Sequence, residues 1–167
     1  SLGARTINES IEKNIELFSE NGFQLLWQTG KIYYDAIIER TKDKNLSDVK
    51  IYQFIKEMNL AYSAADIIIS RAGALSISEL CIIGKPTILI PSPNVSEDHQ
   101  TKNAMALVNN NAAILVKDLE AKEKLGNVLF DLTKDEIKLN QLSNNIKTLA
   151  KTNASNEIVK EIIKQLT

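Results

Sequence analysis

Ser70-Arg71-Ala72-Gly73-Ala74-Leu75-Ser76-Ile77-Ser78-Glu79 sets a guanidinium, a small-residue turn, several hydroxyls and a carboxylate within one short stretch. The turn follows the apolar run Asp66-Ile67-Ile68-Ile69, which reads as a buried strand, and it opens a helix that runs on through Cys81 to Ile83. A strand, a small turn and a helix start make an anion site, because the first helical N–H groups lack intrahelical partners and the positive end of the helix dipole faces the ligand. Arg71 adds a fixed positive charge beside the turn. Glu79 stands one turn into the helix, where a carboxylate accepts hydrogen bonds from a pair of sugar hydroxyls. Phosphate at the helix mouth with ribose on a nearby carboxylate is a common way for α/β proteins to hold nucleotides.

The same residues also have a purely local explanation. Ser76-x-x-Glu79 is a capping box, in which Ser76 caps the helix and Glu79 reaches back to the cap N–H. Gly73 is then an ordinary turn glycine. A cap has no need of Arg71, so the choice falls to the elements that position these residues.

Those elements alternate. Ile7, Ile11, Ile15 and Phe18 recur at helical spacing, with Gly22 to close that helix. Strands are expected over residues 23–28, 49–54, 66–69, 87–90 and 112–116. Helices are expected over 32–41, 58–63, 77–83 and 98–109. Three further helices, at 119–132, 136–150 and 155–166, form a helical C-terminal tail. Strand–helix alternation implies a Rossmann-like, doubly wound parallel sheet with helices on both faces. Right-handed crossovers then bring all strand C-termini to one edge, which is where ligands bind in such sheets.

Other suggestive residues fall on that edge. Ser1-Leu2-Gly3-Ala4-Arg5 resembles the second half of a glycine-rich phosphate turn, although Ser1 also suits a plain N-cap. Phe54-Ile55 ends a strand, where a backbone N–H and C=O can pair with the edge of a base. Glu97-Asp98-His99-Gln100 begins a helix after the proline loop Pro91-Ser92-Pro93-Asn94. Acidic residues favour first turns in any case, but His99 and Gln100 add groups able to bond a sugar hydroxyl or a phosphate.

Composition narrows the function classes. The 167 residues fit one domain, with 20 Lys and Arg against 21 Asp and Glu. A net charge of −1 gives no basic surplus for nucleic acid. The single cysteine, Cys81, has apolar neighbours and reads as a packed core thiol, with a reducing compartment the simplest setting. One histidine and one cysteine cannot build an ordinary His/Cys zinc cluster.

Taken together, the segment from Arg71 to Glu79, Gly84-Lys85-Pro86 and Glu97-Asp98-His99-Gln100-Thr101-Lys102-Asn103-Ala104 resemble the C-terminal half of the MurG family, the glycosyltransferase family 28 enzymes of bacterial peptidoglycan synthesis. Ser1–Arg5 is similar to the end of that family's phosphate turn, and Phe54-Ile55 to the strand end that meets uracil. The resemblance implies one half of a two-domain GT-B glycosyltransferase. Residues 1–167 would be the UDP-N-acetylglucosamine-binding C-terminal domain, without the N-terminal acceptor domain and the strand that precedes Ser1.

By the same resemblance, Ser1 meets a donor phosphate and the Ile55 backbone pairs with uracil. Ala74, Leu75, Ser76, Ile77 and Ser78 surround the diphosphate, and Glu79 accepts both ribose hydroxyls. Gln100, with His99 beside it, contacts the N-acetylglucosamine. No catalytic base is expected in this part, no metal and no cofactor; Arg71 is the residue placed to stabilise the leaving group. The implied reaction is inverting transfer of N-acetylglucosamine to lipid I, giving lipid II for the cell wall and so bearing on cell shape and division. The implied setting is the cytoplasmic face of the bacterial inner membrane, with membrane and lipid I touched only by the absent half. The 167 residues alone would then transfer nothing, and the sheet edge left by the absent strand would invite association. Two alternatives stay open: a glycolipid glycosyltransferase of the same superfamily, and a noncatalytic nucleotide-sugar-binding subunit that needs a partner chain.

Overall fold

The computed structural model describes residues 4–94 and 98–166, so Ser1 and Glu97 lie outside the described residues. The first apolar row becomes α1 (Arg5–Glu20), which buries Ile7, Ile11, Ile15 and Phe18. Its end is a Schellman motif. Gly22 adopts φ 71° and donates to the Ser19 carbonyl at 3.0 Å, while the Phe23 N–H reaches the Phe18 carbonyl at 3.0 Å. The Phe18 and Phe23 rings meet at 6.1 Å, the apolar contact that accompanies this ending.

β1 (Leu25–Gln28), α2 (Lys31–Thr41) and β2 (Val49–Tyr52) follow as one βαβ unit, with the two strands parallel from Leu25 opposite Val49 to Gln28 opposite Tyr52. After α3 (Met58–Ala64), β3 (Ile68–Ser70), α4 (Ala74–Ile83), β4 (Thr87–Leu89), α5 (His99–Val108) and β5 (Ile114–Leu115) alternate in the same way. β4 pairs in parallel with β3 on one side and β5 on the other. All three residues of β4 are buried, as befits a central strand of a parallel sheet. Its side chains feed two cores: Ile88 and the following Ile90 join α1, Trp27 and Leu125, whereas Leu89 joins Leu80, Cys81, Ala104 and Leu107. Helices therefore cover both faces, and the mixed α/β, doubly wound architecture is present as expected.

The strands are shorter than their apolar runs, because residues such as Asp66 and Phe54 flank the ladders without joining them. The larger difference lies in the sheet itself. It consists of two pieces, β1–β2 and β3–β4–β5, with no ladder between β1 and β3 among the described residues. Trp27 and Val49 from one piece share a core cluster with Ile88 and Ile90 from the other. Apolar burial rather than strand pairing joins them.

The tail is helical as expected. A 3-10 turn (Asp118–Glu120) leads into α6 (Ala121–Thr133), which packs along α1. In α7 (Glu136–Thr148), Asp135 caps the start by accepting from the Lys138 N–H at 2.8 Å. Leu142 and Ile146 of α7 enter the two cores in turn. α8 (Ala154–Leu166) carries Ile158, Val159, Ile162 and Ile163 exposed. No described helix is long and apolar enough to cross a membrane.

Candidate functional site

Parallel pairing sends the C-terminal ends of β2, β3 and β4 into the segments singled out above: residues 53–57, 71–73 and 90–94. At the centre lies the start of α4. The helix begins at Ala74, three residues before the capping box would start it, with Gly73 as the N-cap at φ −66° and ψ 150°. No side chain caps this end, and the first helical bond is Ile77 N–H to the Gly73 carbonyl at 2.9 Å. The capping-box reading therefore fails: Ser76 is already inside the helix, and Glu79 is too far along to reach back. The amides of residues 74–76 precede the first helical bond, so this ten-residue helix presents them and its positive end at the crevice. Leu75, 82 % exposed, stands at the same mouth.

Gly73 is not needed for its backbone, because φ −66° suits any residue. A Cβ there would meet only the Ser76 Oγ at 3.7 Å, an ordinary contact. What the missing side chain leaves is open space in front of the helix mouth, the form of glycine use that lets a ligand approach the backbone.

Glu79 is exposed, and its carboxylate accepts a hydrogen bond from the Tyr62 hydroxyl of α3 at 3.3 Å. Burial, then the adjacent Glu79 charge, pushes the Tyr62 phenol above its ordinary value. With Met58, Asn59, Ile82 and Ile83, these two residues line an open groove of about 290 Å³ between α3 and α4. Ser78 is turned to local use, its hydroxyl donating to the Ala74 carbonyl at 3.1 Å.

The other expected residues arrive on the same edge, some already engaged. The Ile55 N–H donates to the Gln28 side-chain oxygen at 2.8 Å, a partner that the sequence did not reveal. The Gln100 carboxamide oxygen accepts from the Ser92 N–H at 2.9 Å and so holds the proline loop. Asn103, a turn further along α5, donates to the Ala72 carbonyl at 3.0 Å and fixes the turn before α4. His99 is exposed at the first position of α5, behind Asp98 at φ 54°.

Arg71 is placed differently from expectation. Its guanidinium donates to the Ile90 carbonyl at 3.0 Å and forms an ion pair with Asp118, the two side chains being 18 % and 15 % exposed. Its Nε is buried without a protein partner. The positive charge expected beside the turn is thus matched by a carboxylate. Asp118 lies forty-seven residues from Arg71, and no local pattern connects the two.

Cys81 is 4 % exposed, and burial raises its thiol above the ordinary range, which leaves it a core residue. Among the described residues, no three His, Cys, Asp or Glu side chains gather as a metal ion would require.

Comparison with known proteins gives the family and the fold. A family model, the glycosyltransferase family 28 C-terminal domain, matches residues 1–165. A protein of Cytophaga hutchinsonii is 53 % identical over 162 residues, covering 97 % of this chain and 43 % of the relative. One of Porphyromonas gingivalis is 52 % identical over 164 residues, with 97 % and 43 % covered. Both are named UDP-N-acetylglucosamine–N-acetylmuramyl-(pentapeptide) pyrophosphoryl-undecaprenol N-acetylglucosamine transferase. The crystal structure of Acinetobacter baumannii MurG superposes with a TM-score of 0.83 at 28 % identity, covering 98 % of this chain and 47 % of that one. The chain spans less than half the length of the relatives it matches.

Proposed function

The chain belongs to the glycosyltransferase family 28 C-terminal domain family, and from that premise we propose that it binds UDP-N-acetylglucosamine as the donor half of an inverting transferase that glycosylates lipid I. The observation that carries this reading is the bare start of α4, with Gly73 leaving its mouth open and Glu79 on the same helix. In this reading the free amides of Ala74, Leu75 and Ser76 bind the diphosphate, with Ile77 and Ser78 next to it along the helix. Glu79 accepts the two ribose hydroxyls, and the Ile55 backbone reads the uracil. Gln100 and His99 meet the sugar, and Ser1 a phosphate.

The reaction separates a sugar from UDP, so negative charge grows on the diphosphate as the bond breaks. Preorganised amides at a helix start stabilise that charge without reorganising, and removing one such donor typically costs about 3–4 kcal/mol of barrier. That work falls to α4, with Arg71 holding the turn. The base for the acceptor hydroxyl belongs to the half that the relatives carry outside the matched region, and this domain alone transfers nothing. The acceptor in the relatives' names is undecaprenol-linked, which supports a reaction at a membrane surface; the cytoplasmic face of the inner membrane is part of the same proposal.

Calorimetric titration with UDP-N-acetylglucosamine, UDP-glucose, UDP and ATP tests the assignment. Preference for the uridine ligands supports it, and equal or absent binding of all four overturns it. Gly73→Ala sharpens the test. Unfolding stability should move by no more than about 1 kcal/mol, since no backbone strain arises, while UDP affinity falls about tenfold because the new Cβ intrudes where a ligand meets backbone. Unchanged UDP affinity in that variant would show that nothing approaches the mouth.

The Gln28 contact yields a result of opposite sign. Its side-chain oxygen holds the N–H that a uracil carbonyl is to take. Releasing an exposed hydrogen bond costs about 0.5–1.5 kcal/mol, so Gln28→Ala should bind UDP about threefold more tightly. Weaker binding would mean that Gln28 touches the ligand itself.

A further inference from the structure

Asp118 closes a link between separate parts of the ligand edge. One carboxylate oxygen pairs with Arg71, in the turn that leads into α4. The other accepts from the Thr6 hydroxyl at 2.9 Å, in the first turn of α1. Arg71 in turn bonds the Ile90 carbonyl at the end of β4, where the proline loop begins. One half-buried ion pair therefore binds the start of α1, the turn before α4 and the exit from β4.

Two of these are helix starts of the same kind. Neither α1 nor α4 has a side-chain cap, Ala4 and Gly73 serving as N-caps. Each presents its first amides at the strand C-terminal edge, α1 ahead of β1 and α4 after β3. A diphosphate carries two charged groups a fixed distance apart, so amides from two helices serve it together only when the helices keep register. Apolar packing alone sets that register loosely, because α1 sits on the sheet through Ile7 and Ile11 while α4 packs on the opposite face through Leu80 and Cys81. A charge-assisted bond network of fixed geometry sets it more tightly.

We propose that Asp118 is a positioning residue for the donor diphosphate: through Thr6 and Arg71 it holds the N-termini of α1 and α4 in register, without touching the ligand. This rests on the donor-site reading above. It also gives the paired Arg71 a purpose, since a guanidinium neutralised by Asp118 adds little net charge but fixes three segments. The local pattern Lys117-Asp118-Leu119 carries none of this, because the role exists only once β5 has delivered Asp118 to the edge.

The experiment compares UDP with uridine in the full-length protein, by ligand-observed NMR and calorimetry, for Asp118→Ala, Thr6→Val and Thr6→Ser. Uridine lacks the phosphates, so a positioning role changes the UDP-to-uridine affinity ratio, whereas general loosening of the fold lowers both affinities together. The expected result is a fall of about tenfold in that ratio for Asp118→Ala and about threefold for Thr6→Val, with recovery in Thr6→Ser, which restores the donor. Thr6→Val keeps the side-chain shape and leaves the ion pair intact, so it reports even if Asp118→Ala fails to fold. In the transferase assay the same variants should raise the KM for the nucleotide sugar more than they lower kcat. An unchanged ratio in folded variants overturns the positioning role. Failure of the parent protein to bind UDP at all would instead overturn the donor-site reading beneath it.

Discussion

Glu79→Ala should weaken UDP binding by about 30- to 100-fold, the loss of roughly two hydrogen bonds to a charged acceptor. The fold should barely register the change, because Glu79 is exposed and its bond from the Tyr62 hydroxyl is 3.3 Å long. The ligand 2′-deoxy-UDP gives the internal control. It lacks one of the two hydroxyls, so the parent protein should bind it less tightly and the substitution should cost it only about five- to tenfold. Equal losses for both ligands, measured by calorimetry, would mean that Glu79 acts on something other than the ribose. Had Ser76 capped the helix, the same substitution would have removed a capping box and lowered stability; α4 starts too early for that.

Asn8→Ala should lower unfolding stability by about 3 kcal/mol, since it strips partners from two buried polar groups at about 1–3 kcal/mol each. Asn8, 3 % exposed, accepts from the Trp27 indole N–H at 2.9 Å and donates to the Thr29 carbonyl at 2.9 Å. Those bonds tie the second turn of α1 to the end of β1, beside the ladder that holds Gln28. For a domain of this size the loss corresponds to about 6–12 °C in Tm. Urea unfolding monitored at Trp27 measures it directly. A change below about 1 kcal/mol would show that water replaces both partners and that the contact is not sealed. The variant should also blunt UDP binding, because α1 and the β1 end lose their common anchor.

The two substitutions separate what the chain shows in one dimension from what it shows only when folded. Periodicity was enough for α1, because Ile7, Ile11, Ile15 and Phe18 face one core. The run Thr87-Ile88-Leu89-Ile90 was equally plain, because a strand buried on both faces has no polar interruption. The start of α4 was ambiguous for a physical reason. Ser76 and Glu79 satisfy a capping pattern, and only the helical bond from Ile77 to Gly73 shows that the helix opens earlier. Local spacing carries no record of that competition.

The partners of the site residues were hidden for a different reason. Asn8, Gln28, Thr6 and Asp118 are polar residues in unremarkable surroundings, and each gains its role from a neighbour 19 or more residues away. Arg71 illustrates the cost of reading charge from sequence alone: an arginine beside a phosphate turn suggests a direct contact, yet Asp118 already claims it. The break between the β1–β2 and β3–β5 sheets was likewise invisible, because alternation of elements specifies strand count and direction but not which edges pair.

The most direct measurement is the backbone amide spectrum of the ¹⁵N-labelled protein during titration with UDP. The expected result is saturable shifts concentrated at the amides of Leu75, Ser76 and Ile77, together with Ile55 as its bond to Gln28 is exchanged for the base. Saturable UDP binding that leaves the residue 74–78 amides unmoved and shifts resonances elsewhere would contradict a diphosphate seated on the first turn of α4.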